Sequence, residues 1–350
     1  MIPYQFINSK KDRKMPNRIL KVYSENWKEE PFAISRGFSD NFDVIVVEIE
    51  QNGFKGWGES TPTKRYNESP EQNISLIEKY RKKIESGISR FEIQSIMPKG
   101  SARNAVDCAL WDLESKMAGK RIWQLEELVK HLLKGDLSKP EIVTTVYSLG
   151  LDTPKKMGEL AKKNSKRPIL KIKLTGDGDL DRINSIRRNA PDARLIVDAN
   201  EGWKVDHYHN FVPEFFKLGI EMIEQPFPAE NENLLKELDH PIPICADESC
   251  HDRADLKNLK GLYEFINIKL DKTGGLTEAI KLQEAAESKG FKTMVGCMSC
   301  TSLAIAPAFL IAQRAKIVDL DAPLYLYSDR ISPIKYDMSE VHHPSKDLWG

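Results

Sequence analysis

Two lysines spaced by one residue, Lys171 and Lys173, end the apolar run Pro168-Ile169-Leu170-Lys171-Ile172-Lys173. On a strand, alternate side chains share a face, so this spacing points both ammonium groups the same way. Neighbouring cations depress each other's pKa, which suits a lysine to proton transfer. Taken alone, paired lysines at a strand end are ordinarily solvated, but these two open a series. Lys173, Asp198, Glu224, Asp247 and Lys269 follow one another at intervals of 25, 26, 23 and 22 residues, each closing a strand-like run. Asp198, Glu224 and Asp247 form an all-oxygen ligand set that favours Mg2+ over zinc, with Asn200 and Glu248 as alternative or supporting donors. A hard cation flanked by Lys173 and Lys269 fits proton abstraction beside a carboxylate, and bases on two faces of one carbon fit racemisation or epimerisation.

Such a series needs a scaffold that repeats. Eight strand-like runs alternate with amphipathic stretches beyond Pro140: Ile142–Tyr147, Ile169–Lys173, Arg194–Asp198, Glu221–Glu224, Pro243–Ala246, Phe265–Lys269, Lys292–Val295 and Ile317–Leu320. Regular strand–helix alternation implies a parallel sheet with right-handed crossovers, and eight strands imply an α/β barrel with its chemistry at the C-terminal strand ends. Upstream, Ile19–Tyr23 and Val44–Ile49 read as strands. Gln51-Asn52-Gly53 supplies a turn, and the stripe Val106, Leu110, Leu113, Met117 marks a helix stopped by Gly119. The expected organisation is a polar arm over 1–14, an α+β domain over 15–138, a barrel over 139–322, and a segment over 323–350 folding back on the first domain. Ser24 to Asp43 and Gly296 to Thr301 are expected to be loops that shape a pocket.

Composition narrows the partners. Acidic and basic residues balance at 52 each, so no long-range field draws nucleic acid or an acidic membrane. A small-molecule substrate is the expectation, and a homo-oligomer stays open. The five cysteines form no spaced framework, and Cys297-Met298-Ser299-Cys300 has no second Cys pair to complete a metal site. These features, the polar stretch after the basic cluster Lys10–Lys14, and Pro307 in the short apolar run Leu303–Ala312 point to a cytoplasmic protein without a secretion signal or membrane span.

Lys-x-Lys, Asp198-Ala199-Asn200, Glu224-Gln225-Pro226, Ala246-Asp247-Glu248-Ser249 and Asn267-Ile268-Lys269-Leu270-Asp271-Lys272-Thr273-Gly274-Gly275, in this order, resemble the enolase superfamily in its muconate-lactonizing branch. The resemblance runs from Met15 through nearly the whole chain, including Ser101–Leu113. It implies a modified TIM barrel, (β/α)7β, under an α+β capping domain, with Mg2+ at Asp198, Glu224 and Asp247. It also implies Lys173 and Lys269 as the acid–base pair, assisted by Lys171.

Within the branch, Asp319-Leu320-Asp321 resembles the signature of dipeptide epimerases, where two carboxylates hold the free amino group. Arg36, in Phe32-Ala33-Ile34-Ser35-Arg36-Gly37, resembles the L-Ala-D/L-Glu pattern, where a mobile capping loop brings an arginine to the side-chain carboxylate. Ser148 aligns with a substrate-contacting hydroxyl, and Met298 is included for its position after the seventh strand. The implied activity is L-Ala-D/L-Glu epimerisation in murein peptide recycling. The alternatives are a dipeptide epimerase of other side-chain specificity, an N-acylamino acid racemase, a cycloisomerase, an o-succinylbenzoate synthase, or a catalytically silent dipeptide-binding protein.

Overall fold

The computed structural model describes residues 18–350. The expected arm over 1–14 and the start of the next domain at 15–17 lie outside the described residues. Strands β1 (Arg18–Ile34), β2 (Gly37–Gln51) and β3 (Phe54–Ser60) form an antiparallel meander. Asn52 and Gly53 make the β2–β3 turn with φ of 53° and 81°, the left-handed pair that a two-residue hairpin demands. Ser24 to Asp43 is therefore not a loop but a long hairpin, paired from Arg18↔Gln51 to Ile34↔Gly37, with only Ser35 and Arg36 at its tip. Alternation with charged residues on the exposed face hid these strands, because the β-branched signal lies at the far end.

The helix Ser101–Ala118 lies across β3, and the glycines of Gly56-Trp57-Gly58 allow the approach. A Cβ at Gly58 would lie 2.0 Å from the Ala105 carbonyl oxygen. The helix is buried on nearly every side, because its other face meets the barrel. Trp111 Nε1 and the Asp107 carboxylate both bond Thr277, and Asn104 donates to Asp271. The expected stripe therefore ends early: Val106, Leu110 and Leu113 are buried while Met117, in the emerging last turn, is exposed.

Strand β4 (Val143–Thr144) precedes the barrel, which consists of β5 (Tyr147–Leu149), β6 (Ile169–Lys173), β7 (Arg194–Asp198), β8 (Ile220–Glu224), β9 (Ile244–Ala246), β10 (Phe265–Ile268), β11 (Lys292–Gly296) and β12 (Ile317–Asp319). These eight are parallel and adjacent in chain order. The ring draws together where Val146 N donates to Val318 O at 2.8 Å. The first barrel strand is thus Tyr147–Leu149 rather than Ile142–Tyr147, whose β4 part pairs instead with β14 (Glu340–Val341), partner of β13 (Tyr336–Asp337). Two separate strands in one β-rich run look like one to a pattern of period two. The chain's last residues reach the opening domain: Trp349 Nε1 donates to Trp57 O at 3.0 Å and Gly350 N to Asp112 Oδ1 at 2.6 Å.

Inside the barrel, one apolar layer takes a residue from each strand or its lead-in: Val146, Ile169, Ile196, Met222, Cys245, Phe265, Met294 and Ile317. This packed layer stops the barrel below the strand ends. Two residues further along β6 comes Lys171, and charge begins.

Candidate active site

Lys173, Asp198 and Glu224 are the last residues of β6, β7 and β8, aligned by the register Lys173↔Asp198↔Glu224. Asp247 and Lys269 fall one residue beyond β9 and β10. The turns here are unusual: Asn200, Glu201 and Gln225 hold φ of 43°, 66° and 35°, a backbone that side chains other than glycine adopt at a cost of about 1–3 kcal/mol. Gln225 uses that turn to link neighbouring strands, its Oε1 accepting from Asp247 N at 2.9 Å and from Ser249 N at 3.2 Å.

Lysines and carboxylates interlock at this level. Lys171, 1% exposed, reaches Asp319 Oδ2 at 2.6 Å, Glu224 Oε2 at 2.7 Å and Asp198 Oδ2 at 3.1 Å. Lys173 donates to Asp198 Oδ2 at 2.7 Å, Lys269 to Asp247 Oδ2 at 2.8 Å and Lys272 to Asp247 Oδ1 at 2.6 Å. Asn267 Nδ2 holds Glu224 Oε1 at 2.7 Å. Burial opposes the Lys171 ammonium, but Asp319, Glu224 and Asp198 outweigh it and keep its pKa well above the ordinary lysine value. Lys171 was expected to share a mutual depression with Lys173; in place it is a buried, fully charged strut. Burial likewise opposes Lys269, and Asp247 and Glu224 outweigh it. Asp247 lies well below the usual carboxylate range: burial pushes it up, and Lys269 and Lys272 more than offset that. Burial, then Asp198, pushes Glu224 up.

The three expected metal ligands therefore come to adjacent strand ends without enclosing a common point. Among the described residues, no three His, Cys, Asp or Glu side chains do so. Each carboxylate is held by lysine instead. The donor chemistry nevertheless fits a hard cation: the buried acceptors Glu248 Oε2 and Asn200 Oδ1 have no hydrogen-bond partner, and every available donor atom is oxygen.

Above this level opens a cavity of about 460 Å3, lined by both Lys173 and Lys269. Their strands, β6 and β10, are second and sixth of eight, so the two ammonium groups enter from opposite sides of the ring. Arg36, Ser148, Met298, Asp319 and Asp321 line the same cavity, whereas Lys171 lies beneath it. Asp321 lies beyond the eighth strand. It follows β12 and caps a short turn, Ala322–Tyr325, so strand alternation does not aim it. Ser148 N and the Tyr325 hydroxyl do, donating to Asp321 Oδ2 at 2.7 and 3.0 Å. Burial and then Asp319 push the Asp321 carboxyl up to about 7.

Arg36 rides at the hairpin tip. Its Nη1 lies 2.8 Å from Glu248 Oε1 and donates to Asn200 O at 2.9 Å, while Ser35 Oγ also donates to Asn200 O. Two participants escaped sequence reasoning. Tyr325 gave no signal, since it acts from an irregular turn. Lys272 stood within a quoted motif, three residues after Lys269, a spacing that brings two side chains together on a helical turn.

Comparison with known proteins places this geometry. Residues 18–126 match the N-terminal domain of mandelate racemase / muconate lactonizing enzymes, and residues 156–344 match the enolase C-terminal domain-like family. The chain belongs to the mandelate racemase / muconate lactonizing enzyme family of the enolase superfamily. An L-Ala-D/L-Glu epimerase of Escherichia coli is 42% identical over 93% of this chain and 99% of its own. An N-acetyl-D-glutamate racemase of a Pseudoalteromonas species is 39% identical over 88% and 95%. Among solved structures, an enolase family member from Agrobacterium tumefaciens with bound sodium and L-Ala-L-Glu superposes with a TM-score of 0.91 at 43% identity, over 95% of this chain and all of that one. A dipeptide epimerase from Enterococcus faecalis complexed with Mg and L-Leu-L-Tyr gives 0.84 at 30%, over 93% and 96%. The modified barrel and capping domain of this family are those described above.

Proposed function

We propose that the protein is an L-Ala-D/L-Glu epimerase that moves the α-proton of the dipeptide's C-terminal residue between Lys173 and Lys269. The observation that carries this reading is the layout of charge around the cavity. The two lysines stand at the second and sixth strands, the Asp319–Asp321 pair at and after the eighth, and Arg36 over the loops that follow the third and fifth. One axis of the ring thus carries two bases facing a common carbon, and the crossing axis carries an anionic and a cationic end. A dipeptide fits that cross: its ammonium goes to Asp319 and Asp321, its side-chain carboxylate toward Arg36, and its α-carbon sits between the lysines.

One lysine takes the α-proton from one face and the other returns a proton on the opposite face, so charge is conserved over the cycle. Lys171 holds Asp198, Glu224 and Asp319 in place from below. Asp198, Glu224 and Asp247 would hold Mg2+, whose charge lowers the cost of electron density moving onto the substrate carboxylate. The rest of the reading follows the chemistry of that substrate: a cytoplasmic enzyme of cell-wall peptide metabolism, supported by cysteines that are all free and by the absence, among the described residues, of a helix long and apolar enough to cross a membrane.

The racemase relative favours one rival, in which the substrate is N-acylated glutamate. That substrate lacks an ammonium, and Asp319 and Asp321 would then face a neutral amide. The test is to supply the enzyme and Mg2+ with L-Ala-L-Glu and with N-acetyl-L-glutamate, and to follow optical rotation. Change in the dipeptide alone supports the reading; change in the acetylated compound alone transfers the protein to the rival.

A further inference from the structure

Four cations line the cavity: Arg36, Lys64, Lys173 and Lys269. Lys173 and Lys269 are committed to Asp198 and Asp247, and Arg36 to Glu248. The Lys64 ammonium has no hydrogen-bond or ion-pair partner among the described residues, while its backbone carbonyl accepts from Asn67 N at 3.1 Å. Lys64 opens the short turn Lys64–Tyr66, whose next residue, Arg65, grips Glu201 with two bonds of 2.7 and 2.6 Å. Tyr66 then sets its ring edge-on against His251, centroids 4.8 Å apart. Glu201 also pairs with Arg36 Nη1 at 3.3 Å and accepts from Ala229 N. A single carboxylate therefore ties the two cation-bearing segments together, with Arg36 from the hairpin tip and Lys64 from the turn after β3, on the side of the ring away from Asp319 and Asp321.

We infer that Lys64 is a specificity-determining residue: it supplies a second positive charge to the side-chain carboxylate of the substrate's C-terminal residue, beside Arg36. This deepens the epimerase reading and rests on it. A flexible ammonium on a fixed turn can follow a carboxylate as it enters, while Arg36 stays tied to Glu248 and keeps the hairpin on the barrel. The contact is made with the side chain and not at the reacting carbon. Its loss therefore weakens binding of ground state and transition state alike and shows in KM rather than kcat.

The experiment compares L-Ala-L-Glu with its neutral isostere L-Ala-L-Gln in wild type, Lys64→Met and Lys64→Arg. In Lys64→Met the ratio of kcat/KM for Glu over Gln falls roughly tenfold, the size of one charge-assisted hydrogen bond at a half-open site, chiefly through KM for L-Ala-L-Glu. Lys64→Arg keeps the ratio within about twofold, since the charge is retained. Added salt narrows the ratio in wild type more than in Lys64→Met. An unchanged ratio in Lys64→Met, or an equal loss for both dipeptides, overturns the assignment of Lys64 while leaving the epimerase intact. A wild type that acts on neither dipeptide overturns the epimerase reading, and this subsite with it.

Discussion

Two layers of the same barrel, one residue pair apart along β6, obey opposite rules. The lower layer, from Val146 round to Ile317, is apolar and comes from every strand in turn. The upper layer sets Lys171, Lys173, Lys269 and Lys272 against Asp198, Glu224, Asp247 and Asp319, most of them as buried as the residues beneath. In the lower layer burial is the stabilising term, and any side chain of the right volume serves. In the upper layer burial is the cost, offset only while every ion keeps its partners. On the proposed reading, the lower layer supplies stability and the upper layer the groups that the chemistry needs.

Substitutions should separate the two layers. The largest effect on activity falls on the lysines facing the cavity: Lys173→Ala and Lys269→Ala each lower epimerisation by roughly 10³-fold while thermal unfolding and Mg2+ binding persist, checked by polarimetry and calorimetry. Asp247→Asn comes next. It leaves Lys269 and Lys272 as buried cations facing a neutral amide, so both Mg2+ affinity and stability fall, the latter by about 3–5 kcal/mol, read from denaturant titration and metal binding. In the lower layer, Met222→Ala opens a cavity at a fully buried position and costs about 2–5 kcal/mol of stability, yet kcat of the folded enzyme stays within about twofold. Equal loss of activity in Met222→Ala would show that the layers are not separable.

The smallest effect is on pH dependence. Burial and Asp319 raise the Asp321 carboxyl to about 7, so below that pH it is protonated and neutral, and above it the site holds a second negative charge. The kcat/KM for a free dipeptide should therefore rise through pH 7, a step that Asp321→Asn removes. For stability the sign is the reverse. A carboxyl raised above its unfolded value favours the folded state fully at low pH, and that contribution is lost as pH climbs through about 7.

Legibility in the sequence followed the same division between regular and irregular structure. Lys173, Asp198 and Glu224 end strands, and Asp247 and Lys269 fall one residue past them, so a regular strand–helix interval was enough to align all five. Asp321, Tyr325 and Lys64 sit on short turns, where neither period two nor period 3.6 applies and only hydrogen bonds such as Ser148 N to Asp321 fix direction. Arg36 was found by resemblance, but the long hairpin that carries it was hidden behind polar alternation. The split of Ile142–Tyr147 into β4 and the approach to β5 depended on β14, nearly two hundred residues away. The spacing of Lys171 and Lys173 was legible, but the charge state of Lys171 depends on Asp319, a partner 148 residues distant.

The central claim is that two lysines from opposed strands serve one carbon. It is tested most directly by proton NMR in D2O of L-Ala-L-Glu and L-Ala-D-Glu, each incubated with Mg2+ and with wild type, Lys173→Ala or Lys269→Ala. Wild type should exchange the glutamate α-proton of both epimers and interconvert them, while each variant interconverts neither and retains α-proton exchange with at most one epimer, a different one for each lysine. Interconversion at the wild-type rate in either variant would contradict the claim.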